Sequence, residues 1–371
     1  MIDFDDLDEE AAARADAGDL DEVAAAALGL PEAPDEYPGG YLWPCPRNLY
    51  FPNFRVLPER MQDAFEDYTR HTAQIRLFCF YGAGDSFAAW SQWIVDTPGW
   101  VEAVVFEWPS HGTRDEEPHP EHVDDFVNDA FEGLQSALKQ HAKGGPLEGA
   151  PFALLGHSIG VLIMLGVAKK MKYSLGLEPC SVYVLDRAAP QHRICSDFGY
   201  KLLEEEDAQE FIRIFNPQPY FLYEKAKESE RGDVDGKAWK MLKMWMDDMK
   251  LQNHTKPEGW HQFKCPVHVF VAMQNWISDD PAVIAKMSTA EHKFYKERCS
   301  ILNSKASGLW DYEMYEDWQS WAFPDRFFVH KLDTDHTTLR RLPAMLEILW
   351  KTLDEFKAKE GAPVQARRED M

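Results

Sequence analysis

Short apolar runs alternate with helical patterns through the middle of the chain. The apolar runs predict strands at 75–80, 102–106, 152–155, 181–185, 267–272 and 327–331. Helical patterns follow most of them, at 87–93, 123–140, 161–171 and 343–357. Because strands that alternate with helices form parallel sheets covered on both faces, the pattern predicts an α/β fold with a mostly parallel central sheet.

Residues 196–262 interrupt this alternation, since they hold no strand pattern and two helical ones, at 204–215 and 237–251. The second helix carries a stripe of large apolar side chains, which are Met241, Leu242, Trp245 and Met249. Ordinary packing of a buried helix explains such a stripe. A lid over an acyl-binding channel is the functional alternative, because Met and Trp adapt to flexible apolar chains.

The two ends of the chain differ from the middle in charge. Thirteen of the first 36 residues are Asp or Glu and one is basic, so this segment carries half of the net charge of −24. We therefore expect a disordered acidic tail over 1–40, one folded domain over 41–357 and a disordered tail over 358–371.

Composition excludes several classes of protein. The acidic balance argues against nucleic-acid binding, which needs clustered Lys and Arg. No apolar run is long enough for a membrane-spanning helix, and the acidic start is unlike a signal peptide. The six cysteines form no CxxC pair, and no metal-ligand spacing is visible. We expect a cytoplasmic protein with reduced cysteines and without metal or organic cofactor.

The strongest chemical motif is Gly156-His157-Ser158-Ile159-Gly160, which follows a predicted strand and precedes a predicted helix. A G-x-S-x-G sequence in that context indicates a nucleophile elbow, whose tight turn needs nearly side-chain-free residues on either side of the serine. Ser158 is therefore the predicted nucleophile. The N–H of Ile159, at the start of the helix, is a predicted oxyanion donor.

A serine nucleophile needs a base and a second oxyanion donor. His336 follows the last predicted strand and precedes the last helix, which places it at the carboxyl edge of the sheet as the predicted base. His330 lies within that strand and is expected to be packed, and His157 flanks the serine. The small residues after the first strand let the backbone approach a substrate, so Ala83 is the predicted donor, with Gly82 as the alternative.

Several segments resemble type II thioesterases of polyketide and nonribosomal peptide assembly lines. Residues 77–86 resemble the first-strand motif, and 108–118 resemble a P-G-R-G-x-R-x-x-E-P segment in which Ser110 and His111 replace Gly and Arg. The elbow and the pair Ala189-Pro190 also fit, so the resemblance covers about residues 74–350. It implies an α/β-hydrolase fold with a helical lid over about 196–262.

The third member of the triad departs from that family, whose aspartate follows the strand at 267–272. Asp186 instead ends the strand after the elbow helix, which resembles the integrated thioesterases of synthases. Either strand end can reach His336. Asp186 is the predicted orienting acid, and Asp279, Asp280 and Asp311 are the alternatives.

The resemblance implies hydrolysis of acyl thioesters carried on the phosphopantetheine of an acyl carrier protein, or on CoA, with fatty acyl or polyketide chains. Ser158, His336 and Asp186 would form the triad, with an acyl-serine intermediate. Two alternatives stay open from the sequence, a carboxylesterase or lipase acting on oxygen esters and a non-catalytic binding protein of the same fold.

Overall fold

Six strands form one parallel sheet in the order β2-β1-β3-β4-β5-β6. The computed structural model describes residues 74–90, 97–98, 100–140, 150–228, 236–254, 262–274, 281–302 and 310–356. The strands are β1 Ile75–Phe80, β2 Val101–Val105, β3 Phe152–His157, β4 Ser181–Leu185, β5 Val267–Ala272 and β6 Phe327–Leu332. All six predicted strands are confirmed, and their ends differ from the prediction by two residues or fewer.

The sheet is covered on both faces near its centre, because every residue of β1, β2, β3 and β4 is buried. The two charged residues in this core are paired. Arg76 of β1 and Glu102 of β2 stand opposite each other in the register and form an ion pair with Nε and Oε2 2.8 Å apart. Their charges therefore compensate each other where water is excluded.

The helices lie between and after the strands. They are α1 Val123–Gln140, α2 Gly160–Lys170, α3 Asp197–Lys201, α4 Ala208–Phe215, α5 Pro217–Glu228, α6 Lys237–His254, α7 Pro281–Ile284, α8 Thr289–Ile301, α9 Tyr312–Glu316 and α10 Pro343–Asp354. The helix predicted at 87–93 is wrong in type, because its described part is a short 3₁₀ turn, Phe87–Trp90.

Two longer helices, α5 and α8, were not expected from the pattern. Helix α5 begins at Pro217 directly after α4, so the two patterns merge along the chain. Helix α8 carries a local signal that could have been read. Ser288 and Glu291 form a capping box, in which each side chain accepts a hydrogen bond from the other residue's backbone N–H.

The described part of the predicted insertion, 196–228 and 236–254, is helical and contains α3 to α6. The predicted tails, 1–40 and 358–371, lie outside the described residues, so the domain limits stay a prediction. Across the ranges that the structure describes, no helix is both long enough and apolar enough to cross a membrane.

Candidate active site

Ser158 lies in the turn between β3 and α2. Its φ is 54°, in the left-handed region that residues other than glycine rarely adopt. A Cβ at Gly156 would lie 2.7 Å from Val161 Cα, and a Cβ at Gly160 would lie 2.6 Å from the carbonyl carbon of Phe80. Both glycines therefore stand where backbone segments approach too closely for a side chain. The motif has the strained strand–turn–helix geometry of a nucleophile elbow.

A buried carboxylate–imidazole pair lies at the same edge of the sheet. Nδ1 of His336 is 2.7 Å from Oδ2 of Asp186, which follows β4 and is 3% exposed. The other carboxylate oxygen accepts hydrogen bonds from the Tyr315 hydroxyl at 2.8 Å and from the Ala272 N–H at 3.0 Å. A carboxylate that accepts from Nδ1–H leaves Nε2 of a neutral imidazole as an acceptor, which is the tautomer that a general base needs.

His157 contacts the main chain of this imidazole residue. Its Nε2 is 3.0 Å from the carbonyl oxygen of His336, and the two rings lie 4.7 Å apart between centroids. Since a carbonyl oxygen only accepts, Nε2 of His157 carries the hydrogen. Burial, together with the charges of His336 and Arg340, lowers the pKa of His157 well below its usual value of 6.5. His157 is thus a neutral donor that fixes the backbone of the neighbouring histidine.

The small residues after β1 form a turn over 82–85, called the β1 turn below. The N–H of Asp85 donates to the Gly82 carbonyl at 3.3 Å, and Gly84 has a φ of 68°. A positive φ at the third position is the mark of a type II turn, which favours glycine there. The glycine in the sequence is therefore required by the backbone at this point.

The β1 turn lies beside the serine. A Cβ at Gly82 would be 3.2 Å from the Ser158 Cβ. Ala83, the predicted oxyanion donor, is half-buried, and Ile159, the other predicted donor, is buried at the first turn of α2. The structure thus brings both predicted donors to the edge where the predicted nucleophile lies.

Two side chains from distant parts of the chain hold the β1 turn, and sequence analysis missed both. Asp85 forms an ion pair with Arg340, which follows His336. The N–H of Gly84 donates to Oδ2 of Asp248, on α6, at 2.7 Å. Asp248 left a signal in the sequence, because it is an acid three residues after Trp245 on the predicted apolar stripe. The ion pair of Arg340 left none.

The remaining candidates lie elsewhere. His330 is packed within β6, where its Nε2 is 3.1 Å from Nδ1 of His268. Asp311 is the N-cap residue of α9. Asp279 and Asp280 lie outside the described residues. Among the predicted acids, the one that the structure brings to Nδ1 of the predicted base is Asp186.

The groups at this edge of the sheet indicate one class of reaction. A serine on an elbow, an oriented imidazole and nearby backbone N–H groups are the parts of nucleophilic acyl transfer. Within the described ranges, no group of three or more His, Cys, Asp or Glu side chains could hold a metal ion.

Part of the chain is similar to known proteins. Residues 75–231 match the model of the thioesterase domain. The gramicidin S biosynthesis protein GrsT of Aneurinibacillus migulanus is 29% identical over 155 residues, which are 42% of this chain and 56% of GrsT. The medium-chain S-acyl fatty acid synthase thioesterase of Anas platyrhynchos is 30% identical over 142 residues, 38% of this chain and 53% of that enzyme. The chain thus spans about half the length of these curated relatives.

Solved structures extend the likeness in fold. The RedJ thioesterase of the prodiginine pathway of Streptomyces coelicolor superposes with a TM-score of 0.51 and 17% identity, covering 76% of this chain and 86% of RedJ. The type II thioesterase BorB of the borrelidin cluster gives a TM-score of 0.51 and 18% identity, covering 77% and 96%. The α/β-hydrolase fold and the resemblance to thioesterases, both stated from the motifs, are confirmed.

Proposed function

We propose that this chain, whose residues 75–231 carry the thioesterase domain, is a serine hydrolase that cleaves acyl thioesters. One observation carries the proposal. The elbow serine follows β3 at the same sheet edge where a buried carboxylate orients an imidazole, with Asp186 Oδ2 2.7 Å from His336 Nδ1. That combination is the geometry of nucleophilic acyl transfer, and the family match selects thioesters among acyl substrates.

The proposed reaction has two halves. Nε2 of His336 takes the proton from Ser158 as Oγ attacks the thioester carbonyl, and the N–H groups of Ala83 and Ile159 stabilise the oxyanion. The C–S bond then breaks, the imidazolium protonates the departing thiolate, and an acyl-serine remains. In the second half His336 deprotonates a water that attacks the ester, which releases the acid and restores Ser158. Asp186 orients the imidazole and stabilises its charged form throughout.

The proposed substrate is an acyl chain on the phosphopantetheine of a carrier protein, or on CoA. Two kinds of observation support it. The relatives named above include a gramicidin S biosynthesis protein and fatty acid synthase thioesterases. Leu242, Met246 and Met249 of α6 are buried by ordinary packing, but the half-buried Trp245 lies over Gly84 beside the proposed nucleophile, so an apolar side chain borders the site.

The function can be tested with a thioester and an oxygen ester that carry the same acyl chain. We expect acyl-pantetheine thioesters to be hydrolysed faster than the matching p-nitrophenyl esters, and Ser158→Ala to reduce both to background. Mass spectrometry of the wild-type protein should detect an acyl group on Ser158. Faster turnover of the oxygen ester than of the thioester would favour a carboxylesterase. Equal rates for the wild type and Ser158→Ala would leave only a non-catalytic binding role.

The orienting acid has its own test. Asp186→Asn should lower kcat by roughly 10³- to 10⁴-fold, the size expected when an orienting aspartate is neutralised. Asp311→Asn, a change at the competing aspartate, should stay within about threefold of wild type, since surface changes away from a site are usually small. The reverse ranking of the two variants would assign the acid to Asp311.

A further inference from the structure

Asp248 on α6 is a fully buried carboxylate that joins three separate segments. Its Oδ2 accepts from the Gly84 N–H at 2.7 Å and lies 3.0 Å from Nε2 of His111, while Oδ1 lies 2.9 Å from Nε2 of His119. We call Asp248, His111 and His119 the lid latch. It connects the helical insertion to the β1 turn, beside the proposed nucleophile.

The two histidines contact the main chain as well as Asp248. Nδ1 of His111 is 2.9 Å from the Pro109 carbonyl, and Nδ1 of His119 is 2.8 Å from the Pro120 carbonyl. Both nitrogens of the His111 ring thus face oxygen acceptors, an arrangement that suits the imidazolium form. Although burial alone opposes a charge on His111, the neighbouring Asp248 raises the pKa of His111 above its usual value of 6.5. Two imidazole rings therefore hold the carboxylate in place.

Helix α6 also packs directly on the β1 turn. A Cβ at Gly84 would lie 2.5 Å from Cε2 of Trp245, which is one helical turn before Asp248 on the same face. The Trp245 indole covers the β1 turn, and the Asp248 carboxylate accepts a hydrogen bond from the Gly84 N–H. Near the start of α6, Lys240 Nζ is 2.8 Å from Oδ2 of Asp115, which lies in the segment that carries His111. Three contacts therefore place α6 against this part of the sheet edge.

The hydrogen bond to the Gly84 N–H restricts the turn that carries the Ala83 N–H, the proposed oxyanion donor. The peptide plane between Ala83 and Gly84 cannot rotate while its N–H is bound to Asp248. The plane between Gly82 and Ala83 is held in turn by the hydrogen bond from Asp85 to the Gly82 carbonyl. The Ala83 N–H belongs to this second plane, so its direction depends on the whole turn. A change of well under 1 Å in such a donor matters, because oxyanion stabilisation requires preorganised geometry.

We propose that Asp248 is a positioning residue that holds the β1 turn in the form that stabilises the oxyanion, so that the active geometry exists only when α6 is docked. The inference rests on the proposed function, since it assigns a role to the lid latch in that same reaction. It makes the helical insertion part of the catalytic geometry as well as a cover for the substrate. His111 and His119 act through Asp248, and neither needs to contact the substrate.

The test is a graded series at Asp248 in the full-length chain. Asp248→Ala removes the acceptor and should lower kcat roughly 10- to 100-fold, which is less than the loss of an oxyanion donor itself, with KM changed by less than about threefold. Asp248→Asn keeps a neutral acceptor and should lower kcat about threefold, because a neutral acceptor bonds more weakly than a carboxylate. Asp247→Ala is the matched control. It removes a surface carboxylate, paired with Lys243, from the same helix.

A trifluoromethyl ketone analogue of the acyl substrate gives the second readout. Its carbonyl adds the Ser158 oxygen to form a tetrahedral oxyanion, so its inhibition constant should rise in step with the fall in kcat across the series. Urea unfolding identifies a variant that has lost its fold. If Asp248→Ala does not fold, Asp248→Asn decides the question alone with both readouts.

The outcomes separate the two proposals. If wild-type turnover depends on Ser158 but both Asp248 variants match wild type, the latch is overturned and the thioesterase proposal stands. A change in KM alone also overturns the latch, because it would show that α6 only binds the acyl chain. If the wild type has no turnover that depends on Ser158, both proposals fall.

Discussion

The close approach between the elbow and the end of β1 depends on the absence of a side chain at Gly160. A Cβ there would lie 2.6 Å from the carbonyl carbon of Phe80, and the carbonyl oxygens of Phe80 and Tyr81 would be nearer still. All three obstructing atoms are backbone atoms of buried residues, so they cannot rotate away. Gly160→Ala must therefore push the elbow helix and the end of β1 apart by roughly 1 Å to reach ordinary van der Waals separation.

That displacement acts on catalysis more than on stability. Overpacking a core costs about 1 to 3 kcal/mol of unfolding free energy, and alanine regains part of it through helix propensity. The same displacement separates the Ser158 oxygen from the Ala83 N–H, and a misplacement of about 1 Å can cost on the order of 100-fold in rate. We expect Gly160→Ala to be folded, with kcat/KM lowered about 100-fold.

Gly166 on the same helix supplies a matched control. A Cβ there would lie 2.9 Å from Cγ1 of Val127 and nearer still to its Cγ2, so the obstruction is a buried side chain on α1. Gly166→Ala should therefore cost about 1 to 3 kcal/mol of unfolding free energy, similar to Gly160→Ala, but keep kcat/KM within about twofold of wild type. Urea unfolding and steady-state thioester hydrolysis measure both. A folded Gly160→Ala variant with turnover within threefold of wild type would refute the spacing argument.

Two further predictions concern buried polar contacts near the site. Tyr315→Phe removes the hydroxyl donor at 2.8 Å from Asp186. It should cost about 1 to 2 kcal/mol of unfolding free energy and lower kcat several-fold, whereas Tyr312→Phe on the same helix should do neither. Burial raises the pKa of Glu107 from 4.5 to about 7, so the folded state holds a proton that the unfolded chain releases. The stability that this proton contributes is present below pH 4.5 and lost as the pH rises to about 7. The unfolding free energy of wild type relative to Glu107→Gln should fall by roughly 2 to 3 kcal/mol across that range. A difference that is constant with pH would contradict the assignment.

Local patterns predicted the strands and the elbow because each is set by residues close in the chain. The apolar run 75–80 gives the same strand in the structure, Ile75–Phe80. The glycines at 156 and 160 report a close backbone approach that any chain with this turn must make. The position of His336, the proposed base, followed from the order of elements alone, since a loop after the last strand must lie at the carboxyl edge of a parallel sheet.

Contacts between distant segments could not be read in this way. The donor from Tyr315 to Asp186 joins residues 129 positions apart, and the contact of Asp248 with Gly84 spans 164 positions. Neither depends on a local period or a turn sequence. The same limit left Asp186 as one of four candidate acids, because the sequence shows which aspartates follow strands but not which one faces the imidazole.

The order of the strands explains how an acid after β4 suits this edge. Neighbouring parallel strands lie about 4.8 Å apart, and Ser158 follows β3, so an acid after β4 is one strand away from the nucleophile. In the resembled type II pattern the acid would follow β5, one strand further. Here the end of β5 offers a backbone donor instead, the Ala272 N–H, which binds Asp186. His336 follows β6, and its backbone carbonyl accepts a hydrogen bond from His157, which is next to Ser158. Each strand end from β3 to β6 thus supplies one group, and the described end of β5 contributes a backbone N–H to the proposed acid.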